Sequence, residues 1–560
     1  MRIRSYFWIV FWLIGTGISL GQDATWAYIR LNPNVNPIEN KTAEESAKTG
    51  NRNLDARLNA SPKTILRKAF LYSKNPVLMR TYLLISEDAN LANSLAEEFP
   101  EFFEFAEVLD PDDAKVFYPN DYGTTNPMGN TTTEGFTLDY LDYLDAPKAW
   151  YYTTGSRDII IGISDGRLDT LNADFKGKSK QLRTSSVSKG HGYSISANAA
   201  AQGNNGYGIP GICYDCSLYG TSYGYFKTLE QLVELSRAGA HVINCSWGSA
   251  KYYETAQQAI YEIYNNGSIV VAAAHNKDWR VTKGEKPYYP ASYDKVISVS
   301  AVMHRYDTPA DNILIDKKGN YYSANIKNVV GRTMGYPKGD TTKVPFVWPV
   351  STANLNKQVD ILAPSVGLFS YSKFVLNDTI SYSTAETTSG ATPLVSGTIG
   401  LMLSLNLCLD FEEVESILKA TATNIDSIPA NKRFKGYYGA GALNTGRAVI
   451  LTHHLMDPSE IAVIENQIFT RWDFEFRSVA QNTLIRNQVF TEDSSLKIVA
   501  RNGIELGPGV ELSPNESGGI LLEMDPELEF SCPEKLPENR EVVLPNTKKV
   551  LKRDFGNKGN

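Results

Sequence analysis

Positive charge, cysteine and long apolar runs are all scarce in this chain, and each scarcity excludes something. The 55 Lys and Arg against 62 Asp and Glu leave a net charge of −7, which sets nucleic acid aside as a main partner, since phosphate backbones are held by basic surfaces. Five cysteines in 560 residues are too few for a disulfide scaffold. Only Cys213 and Cys216 stand close together, in a turn entering the strand-like Ser217-Leu218-Tyr219, spaced to close a small loop in an oxidising compartment. Cys245, Cys408 and Cys532 are scattered singly, so no zinc site is expected. The one long apolar run is at the start: Met1-Arg2-Ile3-Arg4, then Tyr6 to Ile14, then Ser19-Leu20-Gly21. Basic, apolar and small residues in that order predict a signal peptide over 1–21, with no Cys at the cleavage point for a lipid anchor and no stable membrane span after its removal. The remainder is expected to be secreted or held in the cell envelope, in the periplasm or on the outer surface.

Histidine is scarce as well, at six, which makes each one worth placing. Thr387-Thr388-Ser389-Gly390-Ala391-Thr392-Pro393 opens an apolar run that reads as a buried helix from Ala391 onward, with Pro393 in its first turn. Standing alone, Ser389 is a helix cap. Given a base and an orienting carboxylate it is a nucleophile, because the unpaired N–H groups and positive end of the helix favour developing negative charge. His191, between Gly190 and Gly192 and ahead of a small-residue helix, is the candidate base. Asp165 ends the apolar strand Ile159 to Ser164 and is the candidate orienter; taken alone, Asp165-Gly166 is an ordinary turn. Asn276 ends a second apolar strand, Ile269 to Ala274, where its amide is placed to donate to an oxyanion.

The chain order Asp165, His191, Asn276, Ser389 resembles the subtilisin-like serine proteases. The resemblance runs from about Leu138 to Thr452 and takes in Asn204 to Gly211, Val242 to Gly248, Tyr289-Pro290-Ala291 and Val359 to Pro364. It implies an α/β fold, a doubly wound and mostly parallel sheet, and a secreted serine endopeptidase acting on protein or peptide substrates through an acyl-enzyme. By the same resemblance Ser389 is the nucleophile, His191 the general base and Asp165 its orienter, with Asn276 and the Ser389 N–H facing the oxyanion. Ser246, Trp247 and Gly248 resemble the edge that pairs with substrate and lines the first specificity pocket, although Trp247 reads equally well as plain core. No cofactor is required for the chemistry. Structural calcium is frequent in the family, but no motif here assigns its ligands.

Four positions depart from the family pattern. Thr387 puts a β-branched residue where Gly is usual, Gly390 follows the serine where Met is usual, Ser194 replaces a second His, and His275 stands where a Gly precedes the oxyanion Asn. His275 either narrows the pocket or points away from it. These changes keep a second reading open, a catalytically impaired subtilase-fold binding or adhesion protein; a serine hydrolase acting on something other than peptides is a third.

At roughly one domain per 150 residues the length predicts several units. Residues 22–123 alternate strand, helix and strand and resemble a small α+β propeptide, followed by the catalytic region 124–455. The turn formers Pro119 to Pro127 predict an exposed linker open to cleavage. Residues 456–535 read as short alternating strands with turns at Asn502-Gly503 and Gly507-Pro508-Gly509, a small all-β module resembling the β-stack that follows catalytic domains in exported Bacteroidetes proteins. Residues 536–560 read as a solvated basic tail. The stretch 303–358 reads as an insertion, either a specificity rim or a surface elaboration.

Overall fold

The computed structural model describes residues 25–39, 41, 46–61, 64–69, 75–109, 115–122, 138–183, 190–276, 286–315, 319, 321–333, 336–340, 342–344, 347–348, 353–373 and 381–530. The signal-like start and the basic tail lie outside the described residues. Contacts divide the chain into two compact units that part between Val116 and Phe117. Among the described residues no helix is long and apolar enough to cross a membrane.

The first unit is a four-stranded antiparallel sheet of β1 (Thr25–Leu31), β2 (Ile65–Lys68), β3 (Thr81–Ser86) and β4 (Phe103–Val108), in the order β2-β3-β1-β4. Alternation in β1 sends Ala27, Ile29 and Leu31 to one buried face, where they meet Leu54 and Leu58 of the helix Arg52–Leu58 and Leu91 and Leu95 of the helix Leu91–Glu98. This is the small α+β arrangement that the sequence predicts.

The second unit is built on a seven-stranded sheet of β5 (Ile160–Ser164), β6 (Ser179–Gln181), β7 (Ser217–Thr221), β8 (Val242–Cys245), β9 (Ile269–Ala273), β10 (Val296–Val302) and β15 (Ile361–Pro364), ordered β15-β10-β9-β8-β5-β7-β6 with every pairing parallel. Strands such as Ile269-Val270-Val271-Ala272-Ala273 are buried at every position because both faces are covered. Val271 feeds one core, with the helices His191–Ala200, Thr388–Leu405 and Thr445–Met456. Val270 and Ala272 feed the other, with the helices Glu230–Arg237 and Glu254–Asn265. The chain leaves β5 toward one edge and later crosses to β8 on the other side, so the carboxyl ends of β5, β7, β8 and β9 border the crevice where open α/β sheets carry their sites.

The 303–358 stretch adds two antiparallel pairs, β11 (Ile313–Ile315) with β12 (Tyr321–Ser323) and β13 (Arg332–Thr333) with β14 (Val347–Trp348). The ladder β16 (Val366–Lys373) with β17 (Ser381–Glu386) leads into the Thr388–Leu405 helix. Cys213 and Cys216 are bridged, and the sulfurs pack so tightly that a Cβ at Gly155 would lie 2.6 Å from Cys213 Sγ. Cys408, read from sequence as solitary, is disulfide-bonded, whereas Cys245 is a buried free thiol.

Three sequence expectations are corrected. Residues 117–122 belong to the second unit, so Pro119 to Tyr122 of the expected linker are anchored, Gly123 to Pro127 lying outside the described residues: Phe117 N–H donates to Pro147 O (2.9 Å), and buried Asp121 accepts from the Asn204 and Asn205 N–H groups (3.1 and 3.3 Å). The helix at Ser389 starts at Thr388, three residues early, which leaves Pro393 inside it. The C-terminal strands pair with the next coil and not with their chain neighbours. Strands β18 (Ile461–Glu465), β19 (Ile468–Phe469), β20 (Asp473–Ser478), β21 (Asn482–Arg486), β22 (Val489–Glu492), β23 (Ser495–Ala500), β24 (Ile504–Leu506), β25 (Glu511–Pro514) and β26 (Gly519–Met524) form three parallel three-stranded sheets, a solenoid that repeats every ~21 to 24 residues. Phe469, Phe474 and Phe490 stack inside it with ring centres 4.3 to 5.6 Å apart. Its apolar residues join the core of the second unit, and Arg477 clasps Glu413 of the helix Phe411–Ala420 through both carboxylate oxygens (2.8 and 2.5 Å).

Candidate active site

Asp165 follows the last residue of β5 and is fully buried. His191 Nδ1 lies 2.8 and 2.9 Å from its two carboxylate oxygens. A carboxylate only accepts, so Nδ1 carries the hydrogen and Nε2 is left as the basic nitrogen. Gly192 permits this approach, because a Cβ there would fall 2.2 Å from Gly166 O, just past Asp165. Burial works to lower the His191 pKa, but the charge of Asp165 and its hydrogen bond outweigh it and hold the imidazolium above the usual 6.5.

Ser389 is the second residue of its helix, where the first N–H groups have no intrahelical partner. Its hydroxyl donates to Ser246 O (3.0 Å), and the Ser246 hydroxyl donates back to Ser389 O (2.9 Å). The second bond exists because of Pro393: four residues on, where the helix would pair Ser389 O with an N–H, proline has none. Ser246 in turn receives the Asn244 amide (3.0 Å) and follows β8. Thr387, the residue before the helix, is extended at φ −145° and ψ 155°, a conformation any β-branched residue adopts, so the departure from Gly carries no backbone strain. Ser194 turns its hydroxyl back to Gly190 O (3.1 Å).

Asn276, three residues past β9, accepts from the Thr388 N–H (2.7 Å) and the Thr388 hydroxyl (2.8 Å) through Oδ1. Two donors on one atom fix the amide's orientation and turn Nδ2 into the donor to whatever lies in front of it. His191, Ser246, Trp247, Gly248, His275, Asn276 and Ser389 all line one cavity of about 270 Å³. Trp247 is both core and wall: its indole N–H is held by Ser164 O (2.7 Å) while the ring borders the cavity.

Tyr223 was not among the residues the sequence singled out. Its hydroxyl stands 3.0 Å from His191 Nδ1 and also bonds Asp165, and since Nδ1 is itself a donor the tyrosine proton goes to the carboxylate. The available signal was position: Tyr223 lies just beyond β7, the strand that pairs in parallel with β5, so it emerges at the same sheet edge.

Two groups offer metal ligands away from this cavity. Buried Asp121 and Asp174 both gather on the Asn204–Gly208 loop, with the Asn205 amide on Asp174 (3.0 Å); burial, helped by the Asp121 charge, pushes Asp174 up to about 7. A Cβ at Gly208 would lie 1.9 Å from Asp174 Oδ2. Two buried carboxylates close together are the kind of oxygen donors that a hard divalent cation takes. His453, His454 and Glu460, half-buried, bring ligand atoms within 4.8 Å of one another.

A parallel α/β sheet with an Asp-His pair, a serine at a helix start and an amide at one crevice defines the class. The sequence profile of the subtilase family, which comprises serine proteases, matches residues 156–441, and the chain belongs to that family. It is 26% identical to subtilisin DY of Bacillus licheniformis over 304 residues, 52% of this chain and 90% of that protein. Thermitase of Thermoactinomyces vulgaris is 26% identical over 55% of this chain and 93% of its own length. A calcium-dependent protease of Nostoc sp. is 25% identical over 58% of this chain; the chain spans half the length of that relative. Among solved structures, the prenylagaramide maturation protease PagA is similar at 22% identity and a TM-score of 0.38, over 55% of this chain and 97% of that one.

Proposed function

We propose that the chain is a secreted serine endopeptidase in which Ser389, His191 and Asp165 cleave peptide bonds through an acyl-enzyme. The observation that carries this reading is the Asp165 clasp on His191 Nδ1, which leaves Nε2 basic in the same cavity as Ser389. The Ser389 hydroxyl turns from Ser246 O to Nε2, gives up its proton and attacks the scissile carbonyl. Asn276 Nδ2 and the Ser389 N–H hold the oxyanion, and the imidazolium then protonates the leaving amine. Water deacylates the enzyme by the same route in reverse. Ser246-Trp247-Gly248 supplies backbone for an extended substrate.

Purified protein incubated with a fluorophosphonate and a peptide library tests the reading. Labelling on Ser389 together with amide cleavage supports it; a protein that neither labels nor cleaves is the binding or adhesion protein that the altered flanks left open.

The first unit is proposed to be a propeptide removed by the enzyme itself. Calcium is proposed to sit on Asp121 and Asp174, where it would neutralise two buried carboxylates and clamp the 204–208 loop. One relative is by name calcium-dependent.

A further inference from the structure

His275 holds a backbone that glycine prefers. Its φ is +85°, in the left-handed region, yet it carries an imidazole directly before the oxyanion amide. The ring is held from two directions. Nδ1 accepts the Asn276 N–H (2.8 Å), and the ring face lies on Tyr288 with centres 4.1 Å apart and planes 26° from parallel. Tyr288 is itself buried, so the stack has a fixed base.

The position of this ring follows from the cavity's walls. One wall is Ser246-Trp247-Gly248 after β8 and the other Ala273 and His275 at the end of β9, Gly248 facing His275, and Ser389 and Asn276 line the same cavity. A carbonyl carbon attacked by Ser389 and polarised by Asn276 sets its own side chain between those two walls. There the His275 ring closes the way: a Cβ built on Gly248 would already lie 3.7 Å from His275 Cδ2 and 3.8 Å from Tyr288 Cβ. A methyl group at that point would already touch both side chains and stand 3.3 Å from Tyr289 O.

We propose that the stacked His275–Tyr288 pair truncates the pocket for the side chain on the acyl side of the scissile bond, so that the enzyme cuts after short side chains, glycine, alanine and serine, and rejects long and aromatic ones. The proposal rests on the peptidase reading of the site and names its substrate class.

The test compares kcat/KM for matched peptides with Ala or Phe before the cut, in wild type and His275→Gly. Glycine adopts φ +85° without strain, so the variant keeps the local backbone. Wild type favours Ala over Phe by about tenfold or more, and His275→Gly reduces that ratio at least tenfold, chiefly through gain on Phe. Efficient wild-type cleavage after Phe, or a ratio that His275→Gly leaves unmoved, overturns the proposal while leaving the peptidase reading intact. A wild type that neither cleaves the peptides nor takes a fluorophosphonate overturns both.

Discussion

Ser389 makes its strongest claim through what surrounds it, and its removal is the sharpest test. Ser389→Ala is expected to abolish peptide hydrolysis with an unchanged circular dichroism spectrum, because a methyl group fits the helix start and only the nucleophile is lost. Asn276→Ala should lower kcat with little change in KM, since the oxyanion exists only along the reaction path. The expected loss is about 10²- to 10³-fold, the size of effect known for an oxyanion-hole asparagine in subtilisin, itself a member of this family. The pH profile follows from His191. In the proposed mechanism its neutral form is the base, and Asp165 holds its pKa above 6.5, so kcat/KM should be full above that raised value and fall as pH drops through it. Tyr223→Phe removes a proton donor from Asp165, leaves more charge facing the imidazolium and should move this acidic limb to higher pH. A limb that stays in place would make Tyr223 a packing residue only. Asp165, Asn276 and Ser389 were legible because each ends or begins an apolar run, and His191 because histidine is scarce and two glycines flank it; Tyr223 was not, because a tyrosine in a polar loop carries no such mark.

At the level of elements, the exchange between Ser246 and Ser389 is where a sequence rule misled. Proline favours a first turn, which placed the helix start too late. Pro393 instead sits where it frees the Ser389 carbonyl for a partner on another strand. Ser246→Ala should therefore leave a buried carbonyl that the helix cannot satisfy, at a cost of about 1 to 3 kcal/mol, read as a lower urea midpoint with an unchanged m-value. The buried strands β5 and β9 were legible from short apolar runs rich in Ile and Val. The solenoid was hidden in plain view: Ile464-Glu465-Asn466-Gln467-Ile468-Phe469-Thr470 repeats as Ile485-Arg486-Asn487-Gln488-Val489-Phe490-Thr491. In both copies the Asn turns a corner at positive φ, 66° and 46°. Reading strands and turns one by one leaves out a pairing that skips about 21 residues.

For the whole molecule, the anchoring of 117–122 relocates the expected processing point. Wild type should be secreted with a new N-terminus ahead of Phe117, leaving Asp121 attached to the enzyme, while Ser389→Ala keeps the longer form; N-terminal sequencing of both decides it, and identical start sites would end the self-processing proposal. Calcium should raise Tm by several degrees over a chelated sample, and Asp174→Asn should erase that difference in differential scanning calorimetry. The fold class was legible because an ordered series of apolar strands and helices suits one architecture. The exact unit boundary was not, since a buried aspartate on a turn looks the same as an exposed one until its partners are placed.

The solenoid also sets a direction for loss of order. Each coil is templated by the one before it, and the first is welded to the Phe411–Ala420 helix by Arg477 and Glu413. Protection is therefore graded rather than uniform: amide hydrogens of β24 and β26 should exchange before those of β21 and β23, and these before β18 and β20. The chain past the last coil comes back to the same weld, with the Arg477 guanidinium 5.5 Å from the Phe530 ring centre and Phe530 O 3.5 Å from Cys408 Sγ, so an outer strand that loses its order stays tethered and the loss does not travel toward Ser389.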